Sequence, residues 1–351
     1  MAPESKERQS TTQPPPMARY LPPSGLEGAL ASLPLVSVRS KGPRRIGYLV
    51  NYKFHIWYQI LMEVMDRRAR QYGAGLVVAD SCQSVEKQIE AAQALVRQVD
   101  ALILTPAATE GPEVVLRLAE ARKIPVVVEA NPVAGMQTLI AICDYDAGVK
   151  VGRWVGQKSG DFIGGPLKVL DVALPWLRPC LLRSQGFVDG LRAEAPEAEI
   201  VASINGEAIP EIAKREAIKV LHDRPDVNVI FAMDDESAEG ALEGYLELGL
   251  DPDRVLVAGF GLSGDKEKDL LVQGGPLKVS AAMFPEYVAV RCVDQVFRIW
   301  NQESVPLHDV MPTLAVAADS IRRFYPKNNG QWCPDLRAIS AIPVEQNCIR
   351  V

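Results

Sequence analysis

Ile46-Gly47-Tyr48-Leu49-Val50 is a short apolar run of the kind that suits a strand buried on both faces. Ile60, Leu61, Val64, Met65 and Tyr72 then repeat at helical spacing, and Leu76-Val77-Val78-Ala79 is strand-like again. Ser84 can cap the next helix, whose apolar face carries Ile89, Ala92, Val96 and Val99. Ala101–Thr105, a helix through Val114–Ala121, Val126–Val128 and Leu139–Ile142 continue the alternation. This order predicts a parallel sheet covered by helices. The pattern restarts with strand-like runs at Val169–Ala173, Ile200–Ser203, Val227–Ala232, Val255–Ala258 and Val279–Met283. Helical stretches lie between them near Leu181–Glu194, Glu211–Leu221 and Ser237–Leu248. So many strands would overfill one open sheet but fill two comfortably. The reading is two α/β lobes, with a ligand in the cleft between them, because open parallel sheets bind beyond the carboxyl ends of their strands.

The composition removes several alternatives. The chain has 351 residues, with 38 Lys and Arg against 44 Asp and Glu, for a net charge of −6. A general nucleic-acid binder needs a concentrated basic surface, so no nucleic-acid partner is expected. A 48% hydrophobic and 23% charged composition is that of a globular protein, and no apolar run is long enough to span a bilayer. Six cysteines are too few for a disulfide scaffold, no CxxC pair occurs, and His55, His222 and His308 are scattered. Neither a metal site nor a cofactor is expected.

Gly259-Phe-Gly261-Leu-Ser-Gly264 matches G-x-G-x-x-G after a strand-like run. A dinucleotide site would also need an acidic residue about 20 positions on, at the end of the next strand. Position 281 is alanine, so a glycine-rich turn is the better account. No nucleophile elbow, Walker loop or H-E-x-x-H helix is present, and no catalytic residue is assigned. The adjacent Asp234 and Asp235 read as one helix cap and one ligand or solvent contact. An enzyme using Asp234, Asp235 or His55 stays behind a binding role, since no feature specifies a reaction.

The ends differ from the middle. Residues 1–43 are rich in proline and polar residues and read as a disordered or extended tail. No secretory signal is legible there, so either the protein is cytoplasmic or an export signal is absent from this chain. Residues 326–351 form a C-terminal extension holding Cys333 and Cys348, for which a disulfide and two free thiols both fit.

Over about Arg44 to Arg323 the chain resembles the type I periplasmic binding proteins, the ribose-binding and LacI-repressor-core group. The resemblance rests on motifs in order. These are Ile46–Val50 with His55-Ile-Trp57-Tyr58, Glu86-Lys87-Gln88, Ile103-Leu-Thr-Pro106, Ile124-Pro-Val-Val-Val128, Asp144, Arg183-x-x-Gly186-Phe187, Phe231-Ala-Met-Asp-Asp235 with Gly240-Ala-Leu242, and Val257-Ala-Gly-Phe260. It implies an α/β fold of two Rossmann-like lobes with parallel sheets, joined by a three-crossover hinge that closes over a small ligand without catalysis. The implied division is 44–143 plus 284–313 for the first lobe and 144–283 plus 314–325 for the second. A membrane permease, a receptor or a kinase is the implied protein partner, and the periplasm the implied location. A repressor is disfavoured, because the segment before the first strand is short and helix-poor.

Carrying the family's pocket across residue by residue gives a changed set. His55 stands where sugar binders carry asparagine, and Ala130 and Asn131, after Glu129, replace an Asp-Arg pair. Asp234 replaces an asparagine, Gly261 an aspartate, and Met283 the hinge glutamine. The expected ligand-binding set is His55, Trp57, Tyr58, Glu129, Asn131, Trp176, Arg183, Asp234, Phe260, Met283 and Phe284. Because a buried unpaired hydroxyl costs about 1–3 kcal/mol, this set suggests a ligand less polar than a simple sugar. Candidates are an aromatic compound, a modified sugar or a lipid such as a sterol, and the alternative is the sugar-binding component of an ABC transporter or a ligand sensor feeding a receptor or kinase.

Overall fold

The structure, a computed structural model, describes residues 19–38, 41–345 and 348–349. The first lobe begins after α1 (Leu26–Ala31) and runs β1 (Arg45–Val50), α2 (Ile56–Gln71), β2 (Gly75–Asp80), α3 (Val85–Leu95), β3 (Ala101–Leu104), α4 (Glu113–Glu120), β4 (Val126–Glu129) and β5 (Leu139–Ile142). The second continues with α5 (Asp144–Lys158), β6 (Lys168–Ala173), α6 (Arg178–Glu194), β7 (Glu199–Asn205), α7 (Pro210–Asp223), β8 (Val229–Ala232), α8 (Asp235–Glu247), β9 (Leu256–Gly261), α9 (Asp265–Gln273) and β10 (Leu277–Ala282). Then α10 (Pro285–Trp300) and β11 (His308–Met311) return to the first lobe, and β12 (Leu314–Ala317) to the second. A short hairpin, β13 (Lys327–Asn328) and β14 (Gln331–Trp332), and α11 (Leu336–Ser340) follow.

The sheets have the orders β11-β5-β4-β3-β1-β2 and β12-β10-β9-β8-β6-β7, and every pairing is parallel except β10 with β12. β3, β4 and β8 are buried along their whole length, as strands covered by helices on both faces must be. The chain passes between sheets at residues 143, 283–284 and 312–313. Met283 packs into the second lobe's core while Phe284, its neighbour, packs with Phe324 and Tyr325. Phe284 adopts φ 52°, an uncommon value for a bulky residue, and so turns the chain from strand into helix within one peptide.

The expectation of a disordered or extended tail is corrected over its described part. Leu26 and Leu30 are fully buried on α1, one turn apart. The Arg68 guanidinium, buried on α2, donates to the carbonyls of Leu30, Leu33 and Pro34 and forms a bidentate pair with Asp294 of α10. The proline-rich composition hid a single apolar turn. Residues 1–18 of that expectation lie outside the described residues.

The C-terminal extension is likewise packed. Trp332 Nε1 donates to Asp269 of α9 at 2.8 Å, Lys327 pairs with the same carboxylate, and Tyr325 donates to Glu286 of α10 at 2.9 Å. Arg337 of α11 donates to the Ser32 carbonyl, so the two end segments form a collar touching both lobes. Among the described residues, no helix is long and apolar enough to cross a membrane.

Candidate functional site

His55, Trp57 and Tyr58 lie where β1 gives way to α2. His55 is the helix N-cap, with Nδ1 accepting from the Trp57 amide at 3.1 Å. Its Nε2 lies 3.3 Å from Oε1 of Glu236 on α8, a contact that reaches from the first lobe to the second. Burial, and then the charge of Arg183, lower the imidazole pKa to about 4. The ring is therefore neutral at pH 7, and Nε2–H donates to the carboxyl group. Trp57 touches the cores of both lobes, so the lobes stand in contact across it.

Glu129, the last residue of β4, is buried and accepts from the Thr105 hydroxyl at 2.6 Å and from the Trp57 indole. Thr105 in turn shares a 3.0 Å hydrogen bond with the Tyr48 hydroxyl. Burial outweighs these donors and pushes the carboxyl up to about 7. The next residue, Ala130, has φ 69°, a strained value for alanine that turns the chain sharply at the strand end. Tyr58 shares a hydrogen bond with Asn51, whose Oδ1 is buried without a protein partner. Asn131, half-buried, follows in the same turn.

The opposite wall is built around Arg183 on α6. Nε donates to Asp144 of α5 at 2.8 Å, Nη1 donates to the Met233 carbonyl at 3.1 Å, and the guanidinium lies 4.4 Å from the centre of the Phe260 ring. Asp234 caps α8 by accepting from the Ser237 amide at 2.7 Å, and burial raises its pKa. Asp235 is a strut: its carboxylate accepts from the Ser263 amide and lies 3.5 Å from the Ser280 hydroxyl. An added Cβ at Gly261, where φ is 131°, would meet Asp235 at 2.5 Å. That contact, not a phosphate, accounts for this glycine of the G-x-G-x-x-G run.

The structure thus gathers His55, Trp57, Tyr58, Glu129, Asn131, Arg183 and Asp234 at the facing strand ends. The remaining four expected ligand residues are buried in or beside a core, or exposed, and are not set in that group. Phe260 is fully buried beneath Arg183, Phe284 is fully buried in the hinge core, and Trp176 is 68% exposed on the loop after β6. Met283 is buried in the second lobe's core next to the hinge. Asn51, Thr105, Asp144 and Glu236 were not assigned to the ligand set, although the first three follow strand ends directly or by one residue. Cys333 and Cys348 have different neighbours: Cys333 packs on Gly25, and Cys348 on Cys143. Among the described residues, no group of three or more His, Cys, Asp or Glu converges to hold a metal ion. A surface concavity of about 600 Å³, lined in part by Gly156, Ser159, Ile163, Leu167, Ala195 and Ala198, lies at the amino ends of β6 and β7, the sheet edge opposite this site.

The buried acid and base give opposite pH signs. The Glu129 pKa, raised from 4.5 to about 7, makes the folded state hold a proton that the unfolded state has lost, so its contribution falls as pH rises through that interval. His55, lowered from 6.5 to about 4, contributes the reverse slope over its own interval. Glu129→Gln should remove the first slope alone. Its stability relative to the wild type should improve from pH 4.5 to 7, by on the order of 3 kcal/mol in total. Parallel Tm-against-pH curves for the two proteins would refute this assignment.

A sequence model of the periplasmic binding protein domain matches residues 46–303. The chain belongs to the periplasmic binding protein family, whose members are non-enzymatic solute-binding proteins. It is 24% identical over 251 residues to the galactofuranose-binding protein of Escherichia coli, covering 69% of this chain and 76% of that one. It is 24% identical over 284 residues to the ribose import binding protein of the same species, covering 80% and 93%. A solute-binding protein of Actinobacillus succinogenes with bound D-allose has the same fold, with a TM-score of 0.72 at 20% identity, covering 79% of this chain and 98% of that one. A Mycobacterium smegmatis protein in complex with β-D-fucofuranose gives a TM-score of 0.69 at 23% identity, with 78% and 91% covered.

Proposed function

We propose that the chain closes its two lobes over one small, uncharged, polyhydroxylated solute of sugar size and presents it to the membrane permease of an ABC transporter in the periplasm. The observation that carries this reading is Arg183, held flat between Asp144 and Phe260 opposite the buried Glu129. A guanidinium has five N–H donors in a fixed plane, and the bonds to Asp144 and Met233 engage only Nε and Nη1. Asn51 Oδ1, His55, Tyr58 and Asp234 add acceptors and donors around it. The ribose, galactofuranose, allose and fucofuranose in the names of the relatives and neighbours support the same class.

A ligand less polar than a simple sugar followed from the loss of the family's usual partners. Asp144, Asn51 and Glu236 supply polar groups from other positions, so the sugar reading is preferred here. Titration calorimetry with pentoses and hexoses in both ring forms, myo-inositol, aromatic acids and a sterol tests the choice. At least one sugar or polyol should bind at micromolar affinity or better, and Arg183→Met should weaken it about 10–100-fold, the worth of a charged hydrogen bond. Tight binding of a sterol or aromatic compound with no response to sugars would overturn the proposal.

A further inference from the structure

Cys143 is the residue on which the chain first crosses from one lobe to the other, between β5 and α5, and it is 5% exposed. Its Sγ donates to the carbonyl oxygen of Cys348 at 3.0 Å, and each thiol acts on the protonation of the other. Ile349 packs on the first lobe's outer core and holds Cys348 in this place. The remaining cysteines are apart: Cys82 is exposed, Cys180 lies with Leu174 and Met233, Cys292 is in the main core, and Cys333 packs on Gly25. We propose that Cys143 and Cys348 form a disulfide that staples the end of the collar to the first hinge crossover.

Bonding needs the two sulfurs to reach about 2 Å in one fixed geometry, and the backbone of residue 348 already lies against the Cys143 sulfur. Residue 143 is fixed between strand and helix, whereas residues 343–345 and 348–349 carry no regular structure and can adjust. The oxidant is an external disulfide. The Cys348 thiolate, on the less buried residue, attacks it and expels one thiol, leaving a mixed disulfide. The Cys143 thiolate then attacks the Cys348 sulfur and expels the second thiol. Two protons and two electrons leave the protein, and the external disulfide is reduced to two thiols. Burial raises the pKa of both cysteines, so exchange is slow in either direction and the finished bond is shielded from reductants. Bonded to Cys143, residues 348–349 can no longer leave the first lobe without moving the crossover.

The full-length chain, equilibrated in a buffer of oxidised and reduced glutathione, acid-quenched, alkylated and digested, gives the direct test. A peptide joining Cys143 to Cys348 should appear, should vanish in Cys348→Ser, and should persist in Cys333→Ser. Reduction of the oxidised chain should lower Tm by about 5 °C or more, since the bond closes a very long loop. Complete alkylation of Cys143 and Cys348 after equilibration with excess oxidised glutathione would overturn the proposal. So would a peptide joining Cys348 to Cys333 instead.

Discussion

Gly152→Ala should destabilise the second lobe by about 3 kcal/mol and lower Tm by roughly 6–10 °C. Helices α5 and α6 touch backbone to backbone through Gly148, Gly152, Gly186 and Gly190. A Cβ at Gly152 would stand 2.1 Å from the Phe187 carbonyl oxygen and 2.7 Å from the Leu191 nitrogen. No rotamer change relieves a clash with backbone, so the helices must part. Alanine's better helix propensity returns only about 1 kcal/mol. The same seam sets the site, because Asp144 lies on α5 and Arg183 on α6. A Cβ at Gly148 would meet the Arg183 carbonyl oxygen at 2.2 Å. Gly148→Ala should therefore weaken ligand binding as well as stability. The matched control is Gly160→Ala, where nothing lies within 4 Å and little change is expected. Thermal melts that place Gly152→Ala within a degree or so of Gly160→Ala would sink this account.

Arg68→Met should cost about 3–5 kcal/mol, because it strands the Asp294 carboxylate inside the protein. Both side chains are nearly inaccessible, at 0% and 9% exposure, so water cannot replace the lost partner. The carbonyls of Leu30, Leu33 and Pro34 lose their donor in the same step, and the collar should loosen before the lobes do. Adding Asp294→Asn should recover part of the loss by removing the stranded charge. Limited proteolysis between residues 20 and 43 reports on the collar, and denaturant melts report on the whole. Equal protease resistance in Arg68→Met and wild type would refute the attachment role.

The lobed α/β architecture was legible because its signals are local and repeated. Runs such as Ile46–Val50 and Val126–Val128 are too short and too apolar for anything but strands buried on both faces. The sequence also pointed to His55 and Trp57 after β1, Glu129 at the end of β4 and Arg183 on α6, which the fold sets around the facing ends of the two sheets. What could not be read is which way each side chain turns. Phe284 and Met283 are neighbours in sequence, yet a single left-handed residue sends them into different cores. Trp176 looked like a platform for a ring and instead faces solvent. Asp144 was noticed only as a strand-end match, since its partner Arg183 is 39 residues away. The collar was missed because Leu26 and Leu30 make one apolar turn among prolines, and the side chains that hold their segment lie from 38 residues away, at Arg68, to 305 residues away, at Arg337. Single-sequence periodicity carries no trace of such pairings.

The interleaving of the lobes also sets an order of events during synthesis. α10 and β11, which complete the first lobe, are encoded after all of the second except β12 and the collar. At roughly 5–20 residues per second, α1 waits on the order of tens of seconds before α11 leaves the ribosome. The second lobe can close its core while the first still lacks one covering helix and an edge strand. Unfinished β5 and the bare apolar stripe of α2 are therefore the surfaces a chaperone would meet. Among the described residues, the first helix to be made is among the last to dock.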